Sequence, residues 1–137
     1  MASLIYNSCP EDLAKGAIDF DTDTFKVLLV TSSYTPDKDT HTRGDDITNE
    51  VTGSGYTAGG ATTTVTVTLD TANDKVTVGF SAVNWPTSTI TARGAVIYKS
   101  TGTAANDPLV AYMDFTNDVS SGGGTFSIAA STITLQN

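Results

Sequence analysis

Three aspartates at alternate positions are the first side chains in this sequence that could do chemistry. Asp19, Asp21 and Asp23 offer carboxylate oxygens, the ligands that calcium prefers. An EF-hand loop beginning at Asp19 would need glycine at its sixth position and glutamate at its twelfth, where this sequence has Thr24 and Val30. An irregular calcium site is one interpretation, and a polar turn whose side chains accept backbone N–H groups is the preferred one. We therefore predict no metal and no cofactor.

A second acidic group lies further along the chain. Asp45, Asp46 and Glu50 could act as general acid and base, as paired carboxylates do in glycoside hydrolases. No aromatic wall accompanies them in the sequence, and carboxylates on a threonine-rich surface are ordinary. We therefore expect a solvated loop here rather than a hydrolase site.

Nucleophilic catalysis is limited by the histidine count. His41 is the only histidine, which excludes a histidine metal cluster and leaves one candidate base for a serine or cysteine nucleophile. The run Gly53-Ser54-Gly55 lacks the G-x-S-x-G frame of a nucleophile elbow. Cys9 has no basic neighbour in the sequence and is expected to be a small structural residue. The chain is therefore predicted not to be an enzyme.

Aromatic residues offer a binding alternative. Trp85, Tyr34, Tyr56 and Tyr98 could form a platform on which sugars stack, as in a carbohydrate-binding or adhesin module. Trp85 lies in a strand-like run just before Pro86, and large aromatic side chains usually bury their area. Core packing is therefore the preferred interpretation for Trp85.

Composition and charge narrow the classes of partner. Only 16% of the 137 residues are charged, and the net charge is −8. With no basic stripe to neutralise phosphates, nucleic acid and anionic membrane surfaces are excluded as partners. A single cysteine excludes an intrachain disulfide. No signal peptide and no membrane-spanning run is recognised, so we expect synthesis and folding in a cytoplasm.

The elements that must position these residues are mostly strands. Alternating threonine and aliphatic residues over 62–69 and 75–80 predict a β-hairpin with one buried and one wet face. Further strands are predicted from short apolar runs at residues 25–31, 83–85, 90–98, 109–115, 126–128 and 133–135. The expected fold is all-β, an antiparallel β-sandwich or jelly roll forming one domain over residues 1–137.

One short N-terminal helix is predicted over residues 10–16. Pro10 near its start, acids in the first turn and Gly16 at its end are typical helix signals. Ser8 is expected to cap it, with Glu11 in the capping-box position.

Arg93 interrupts an apolar strand and needs an acceptor for its guanidinium group. Asp114 and Asp118 are the candidate partners. Whether the ion pair lies within the chain or between subunits is left open by the sequence.

The predicted interaction surface combines two irregular segments. Residues 34–60 form a loop too long for a compact domain unless it is functional or ordered by a partner. Residues 1–8 form an N-terminal arm with no strand of its own, which could clamp a neighbouring subunit or pack on its own sheet. The side chains predicted to contact a partner are Leu4, Ile5, Tyr6, Tyr34, Arg43 and Tyr56.

Four stretches, in order along most of the chain, resemble small virion structural proteins of tailed bacteriophages. They are GAIDFDTDTFKV at 16–27, TSSYTPD at 31–37, NEV at 49–51 with GYTAGG at 55–60, and TARGAVIYK at 91–99 with DPLVAY at 107–112. The resemblance supplies no catalytic residues.

The resemblance implies a non-enzymatic protein of the virion, assembled in the host cytoplasm. Its first implied role is capsid decoration or cement, bound to the major capsid lattice through many weak contacts. The implied partners are phage capsid or other virion proteins and copies of the chain itself, for which closed cyclic symmetry makes a trimer natural. A tail or head–tail junction protein is the first alternative, and the carbohydrate-binding or adhesin module is the second.

Overall fold

Alternating and continuous apolar runs give this chain ten strands among residues 3–136, the part that the computed structural model describes. Most strands are short, because turns rich in glycine, proline and aspartate interrupt the runs, and only β7 and β8 exceed six residues among those described. The strands are β1 (Leu4–Ile5), β2 (Phe25–Val30), β3 (Ala61–Thr63), β4 (Val65–Asp70), β5 (Lys75–Phe80), β6 (Val83–Trp85), β7 (Thr91–Lys99), β8 (Leu109–Ser120), β9 (Phe126–Ile128) and β10 (Ser131–Gln136).

The strands pair antiparallel in three sheets. The largest has five strands in the order β1-β8-β7-β2-β3, the second has the order β10-β5-β4, and β6 pairs with β9. The predicted hairpin is confirmed, with Asp70 opposite Lys75 at its tip. The all-β sandwich with one short helix, predicted from the sequence, is therefore confirmed.

The main core lies between the five-stranded and three-stranded sheets. Phe25 and Val27 of β2 and Ile97 of β7 share the buried face, because residues two apart on a strand point to the same side. The Phe25 ring stacks on Phe20 at a centroid distance of 5.2 Å, and both rings meet Phe80 of β5 edge-on. These aromatic contacts join the two sheets.

A second core covers the opposite face of the five-stranded sheet. Leu28, Val96 and Tyr112 lie on this face, and Tyr6 and Tyr34 pack over them from outside the sheet. The five-stranded sheet is therefore buried on both sides, which explains why β2 is almost continuously apolar.

Gly94, in the middle of β7, belongs to this second core. A Cβ atom at this position would lie 2.5 to 2.6 Å from the hydroxyl and ring atoms of Tyr112. The absence of a side chain is what lets the tyrosine ring lie flat against the sheet.

The single α-helix among the described residues, α1 (Ser8–Ala14), begins two residues earlier than predicted. Asn7 occupies the N-cap position in a helical conformation and makes no side-chain cap, and its amide nitrogen donates to Asp39. The predicted Ser8 cap is therefore wrong, and the Ser8 hydroxyl is buried without a hydrogen-bond partner. Gly16 ends the helix as predicted, at a φ of +78°. The helix is too short to cross a membrane.

The N-terminal arm packs on its own sheet. Leu4 pairs with Tyr112 and Ile5 with Ala111, so the arm contributes strand β1, which the sequence did not predict. Two residues are too few for any periodic signal. Residues 1 and 2 of the predicted arm lie outside the described part of the chain.

Candidate interaction surface

The long loop, residues 32–60, folds over the second core instead of standing free. Tyr34 is buried, and its hydroxyl lies 2.9 Å from that of Tyr6 and 2.8 Å from His41 Nδ1. Burial raises the pKa of Tyr34 to about 12, so the phenol stays protonated at neutral pH. Tyr6 and Tyr34 were predicted to contact a partner. That prediction is wrong for both, because their rings fill the space between loop and sheet.

The geometry also fixes the direction of these hydrogen bonds. The backbone N–H of Asp37 donates to His41 Nδ1 at 3.2 Å, so this ring nitrogen is an acceptor. Tyr34 then donates to His41, and Tyr6 donates to Tyr34. His41 therefore organises the loop and has its Nδ1 lone pair occupied, which leaves that atom unavailable as a catalytic base.

Arg43 ties the same loop to helix α1. Its two terminal nitrogens donate to the two carboxylate oxygens of Asp12, at 2.8 and 3.1 Å. Asp12 is buried, whereas the Arg43 side chain is 33% exposed. Arg43 was predicted to contact a partner, but its planar fork is already engaged within the chain.

Tyr56 and Glu50 secure the end of the loop. The Tyr56 hydroxyl accepts the N–H of Leu29 at 3.0 Å and donates to Glu50 Oε2 at 2.6 Å. The same carboxylate oxygen accepts the N–H of Gly59 at 2.7 Å. Burial raises the pKa of the Tyr56 phenol. Only part of Tyr56 is exposed, and its hydroxyl is used inside the fold rather than for a partner.

Gly60 marks the point where the loop passes closest to the five-stranded sheet. Its φ is +79°, and a Cβ atom there would lie 1.8 Å from the carbonyl oxygen of Val27. No residue with a side chain fits this position without displacing β2.

The aromatic platform proposed for sugar binding does not form. Trp85 is buried and packs against Tyr56 and Phe126, at centroid distances of 5.8 and 6.1 Å. Tyr34 and Tyr98 are buried too, and Tyr98 donates its hydroxyl to the Gly59 carbonyl at 2.5 Å. Core packing of Trp85 is therefore confirmed. The aromatic side chains on which the carbohydrate-binding alternative depended are not exposed for sugar stacking.

The three alternate aspartates form a turn. Asp19 Oδ1 accepts the N–H of Asp21 at 2.9 Å, and Asp23 Oδ2 accepts the N–H of Asp19 at 2.7 Å. Lys99 lies 2.9 Å from that Asp23 oxygen and also donates to the carbonyl of Ala17. No group of three histidine, cysteine or acidic side chains within residues 3–136 is arranged to hold a metal ion.

The second acidic group, which includes Asp46 and Glu50, also forms hydrogen bonds within the fold. Asp46 Oδ2 accepts the N–H groups of Thr42 and Arg43 at 2.8 and 3.1 Å, at the start of a 3-10 turn over Gly44–Asp46. The hydrogen bond from Thr42 is the main reason that the pKa of Asp46 lies below its usual range. Glu50 lines a depression of about 360 Å³, but its Oε2 already binds Tyr56 and Gly59, and neither Asp45 nor Asp46 lines that depression beside it, so these carboxylates do not form an acid–base pair there.

Two other predicted residues have clear roles. Cys9 is buried, and burial raises the pKa of its thiol to about 11, which makes it unreactive at neutral pH. Arg93 lies at an irregularity in the β7–β8 pairing and forms an ion pair with Asp118 of its own chain, with Nε 3.5 Å from Oδ1. The ion pair expected for Arg93 is thus within the chain.

Three of the exposed large aliphatic side chains described in the structure lie at the tip of the three-stranded sheet. One face of this sheet is aliphatic, and near its base Val78 and Phe80 are buried in the main core. Towards the hairpin tip the same face extends beyond the core. We call this tip the apolar overhang, and it consists of Val67, Leu69, Val76 and Leu135.

Exposure at the overhang is unusual for aliphatic side chains in strands. Leu69 is 70% exposed, Leu135 43% and Val67 42%. Two shallow depressions flank them, of about 270 and 340 Å³, and both are lined by Val76 and Leu135. A contiguous apolar surface of this kind is typical of a protein–protein contact.

Part of this surface could be predicted from the alternation of residues in β4. Alternation correctly predicted which side chains of β4 share a face, but it also predicted that this face would be dry, which is wrong at the tip. Alternation shows which side chains share a face of the strand. It does not show how far along the strand the packed layer extends that would bury that face. No family model, curated protein or solved structure matches the chain, so its resemblance to phage virion proteins stays a prediction.

Proposed function

We propose that this chain is a non-enzymatic structural protein of a tailed-bacteriophage particle, with capsid decoration or cementing as its first role. The observation that carries the proposal is the apolar overhang, an unpartnered aliphatic surface on a rigid sheet. Such a surface suits a protein that binds beside other polypeptides. The four stretches that resemble virion proteins supply the identity of those polypeptides.

The polar side chains support the same proposal. His41, Glu50 and Asp46 form hydrogen bonds within the long loop, and Arg43 ties the loop to helix α1. A catalytic group needs a free lone pair or proton facing its substrate. Groups already used inside the fold contribute to stability, which a protein exposed on a particle needs.

Quantitative mass spectrometry of purified particles of the phage that encodes the chain tests the proposal. We expect the chain in the particle, at a copy number comparable with that of the major capsid protein. A much smaller number, fixed per particle, would favour the tail or head–tail junction instead. Absence of the chain from intact, purified particles would contradict a virion role altogether.

Solution scattering on the purified chain adds the oligomeric state. A stable trimer is expected for a protein placed at the symmetry axes of a shell. A monomer would favour accessory binding to a lattice that has already formed.

A further inference from the structure

We infer that the apolar overhang is the docking site for an extended polypeptide segment that carries apolar side chains at alternate positions and lysine or arginine at its flanks. The inference rests on the proposed function only in taking that segment to belong to another virion protein. The site itself is defined by Val67, Leu69, Val76 and Leu135.

Burial supports the apolar part of this inference. Five large hydrophobic side chains among residues 3–136 are exposed, and three of them, Val67, Leu69 and Leu135, belong to the overhang. The other two, Ile5 and Val119, lie on β1 and β8. Isolated exposed aliphatics are ordinary, whereas a contiguous group of them marks a contact surface.

The strand edges indicate that the segment is extended. β4 and β10 form the two edges of the three-stranded sheet, and within residues 3–136 each pairs only with β5. Edge strands are usually protected from pairing by lysine or proline, but β4 reads VTVTLD and β10 reads STITLQ. An added strand can therefore pair with either backbone edge while its apolar side chains continue the aliphatic face.

Charge complementarity selects the flanks of the segment. Asp19 and Asp21 line one depression beside the overhang, and Asp70 and Asp74 line the other. Lys75 is the one cation among the residues that line these two depressions, and it lies opposite Asp70. A second copy of this chain would bring a net charge of −8 against the same surface, which disfavours self-association through the overhang. Lysine or arginine at the flanks of the segment meets the acidic rim instead.

A synthetic peptide tests the inference without a phage. The probe is fluorescein-labelled Lys-Lys-Val-Thr-Val-Thr-Val-Lys-Lys, and its matched control replaces each lysine by glutamate. We expect saturable binding of the basic peptide by fluorescence anisotropy, and binding of the acidic peptide weaker by about tenfold or more. Chemical-shift changes in the ¹⁵N spectrum are expected to be confined to β4, β5, β10 and the acidic residues that line the two depressions.

Two variants of the chain locate the binding. Leu69→Asn removes the most exposed leucine without changing the charge, and it is expected to weaken binding of the basic peptide by about tenfold. Val119→Asn, at the exposed valine of β8, is the matched control and is expected to bind like the original chain. Both positions are exposed, so both variants are expected to fold, which circular dichroism checks.

Three outcomes would overturn the inference. Equal binding by Leu69→Asn would mean that the peptide is attracted to the acidic surface in general, and no binding by the original chain would mean that the overhang accepts no such segment. Self-association that Leu69→Asn abolishes would make a second copy the occupant. Each of these leaves the virion role untouched, because that role is decided by the content of purified particles.

Discussion

Irregular loops usually expose their side chains and regular strands usually bury theirs. The long loop and the apolar overhang of this molecule do the opposite. The loop, residues 32–60, has almost no regular structure, yet its key side chains are engaged with the helix, the sheet or one another. The overhang consists of regular strands, yet it presents the most exposed leucine described in the structure. The irregular loop is therefore held by contacts within the chain, and the exposed apolar surface belongs to a regular sheet.

The difference has a physical cause. A loop that lacks a hydrogen-bonded ladder must satisfy its polar groups with side chains, and this chain does so with Asp46, Glu50, Tyr56 and Arg43. The strands of the overhang satisfy the backbone polar groups that face one another, and they leave their aliphatic side chains and the outer edges of β4 and β10 exposed. Stability and binding are thus expected to respond to changes in different regions.

Among the substitutions that test this difference, Gly60→Ala is expected to change the free energy of unfolding most. The new Cβ atom would overlap the Val27 carbonyl, so we expect a loss of about 3 kcal/mol or more from overpacking together with backbone strain. The free energy of unfolding, measured with urea, checks this. Gly102→Ala is the matched control, because Gly102 has a φ of +93° but no atom within 4 Å of the added Cβ. Equal losses in the two variants would show that the loop does not press on β2.

Arg43→Met is expected to have the next largest effect on the free energy of unfolding. It leaves the Asp12 carboxylate buried without its bidentate partner, and we expect a loss of about 2 kcal/mol in the free energy of unfolding. The double variant with Asp12→Asn should recover part of this loss, because no buried charge is then left unpaired. The exposed ion pair between Lys15 and Glu11 offers the control, and Lys15→Met should change stability little. A loss no greater than that of Lys15→Met would mean that Arg43 does not hold the loop.

Asp46→Asn is expected to cost about 1 kcal/mol at pH 7, as the loss of a helix-capping carboxylate does. The pKa of Asp46 is lowered in the fold, so its stabilising effect is present above the carboxyl pKa of the unfolded chain, about 3.9. That effect disappears as the pH falls through the lower folded pKa. Urea unfolding of both proteins between pH 7 and pH 2 should therefore show the difference vanish at the acid end. A difference that stays constant with pH would exclude the carboxylate as its source.

Leu69→Asn should have the smallest effect on stability, within about 0.5 kcal/mol, because the leucine is mostly in water already. It should nevertheless reduce the fluorescence of a dye that binds exposed apolar surface. Val78→Asn, two rows closer to the base and buried, is a contrast that should destabilise the fold strongly. A large loss of stability in Leu69→Asn would mean that the tip is part of the core.

The sequence predicted those features that depend on neighbouring residues. Alternation placed the hairpin of β4 and β5, and Gly16 marked the end of the helix. The burial of Tyr34 depends on Tyr6, 28 residues away, and the pairing of Arg43 depends on Asp12, 31 residues away. No local pattern reports contacts over such separations, so the loop was predicted to contact a partner, whereas these side chains are engaged within the chain. For the same reason, the overhang became visible only when the extent of the opposing layer was known.

The contact between Gly94 and the ring of Tyr112 has an evolutionary consequence. The two positions share one volume across neighbouring strands, so a larger residue at 94 requires a smaller one at 112. Distant homologues are therefore expected to show these two columns varying together, even where overall identity has faded. This covariation would offer a diagnostic signature for gathering such sequences, and it depends on packing alone rather than on any retained activity.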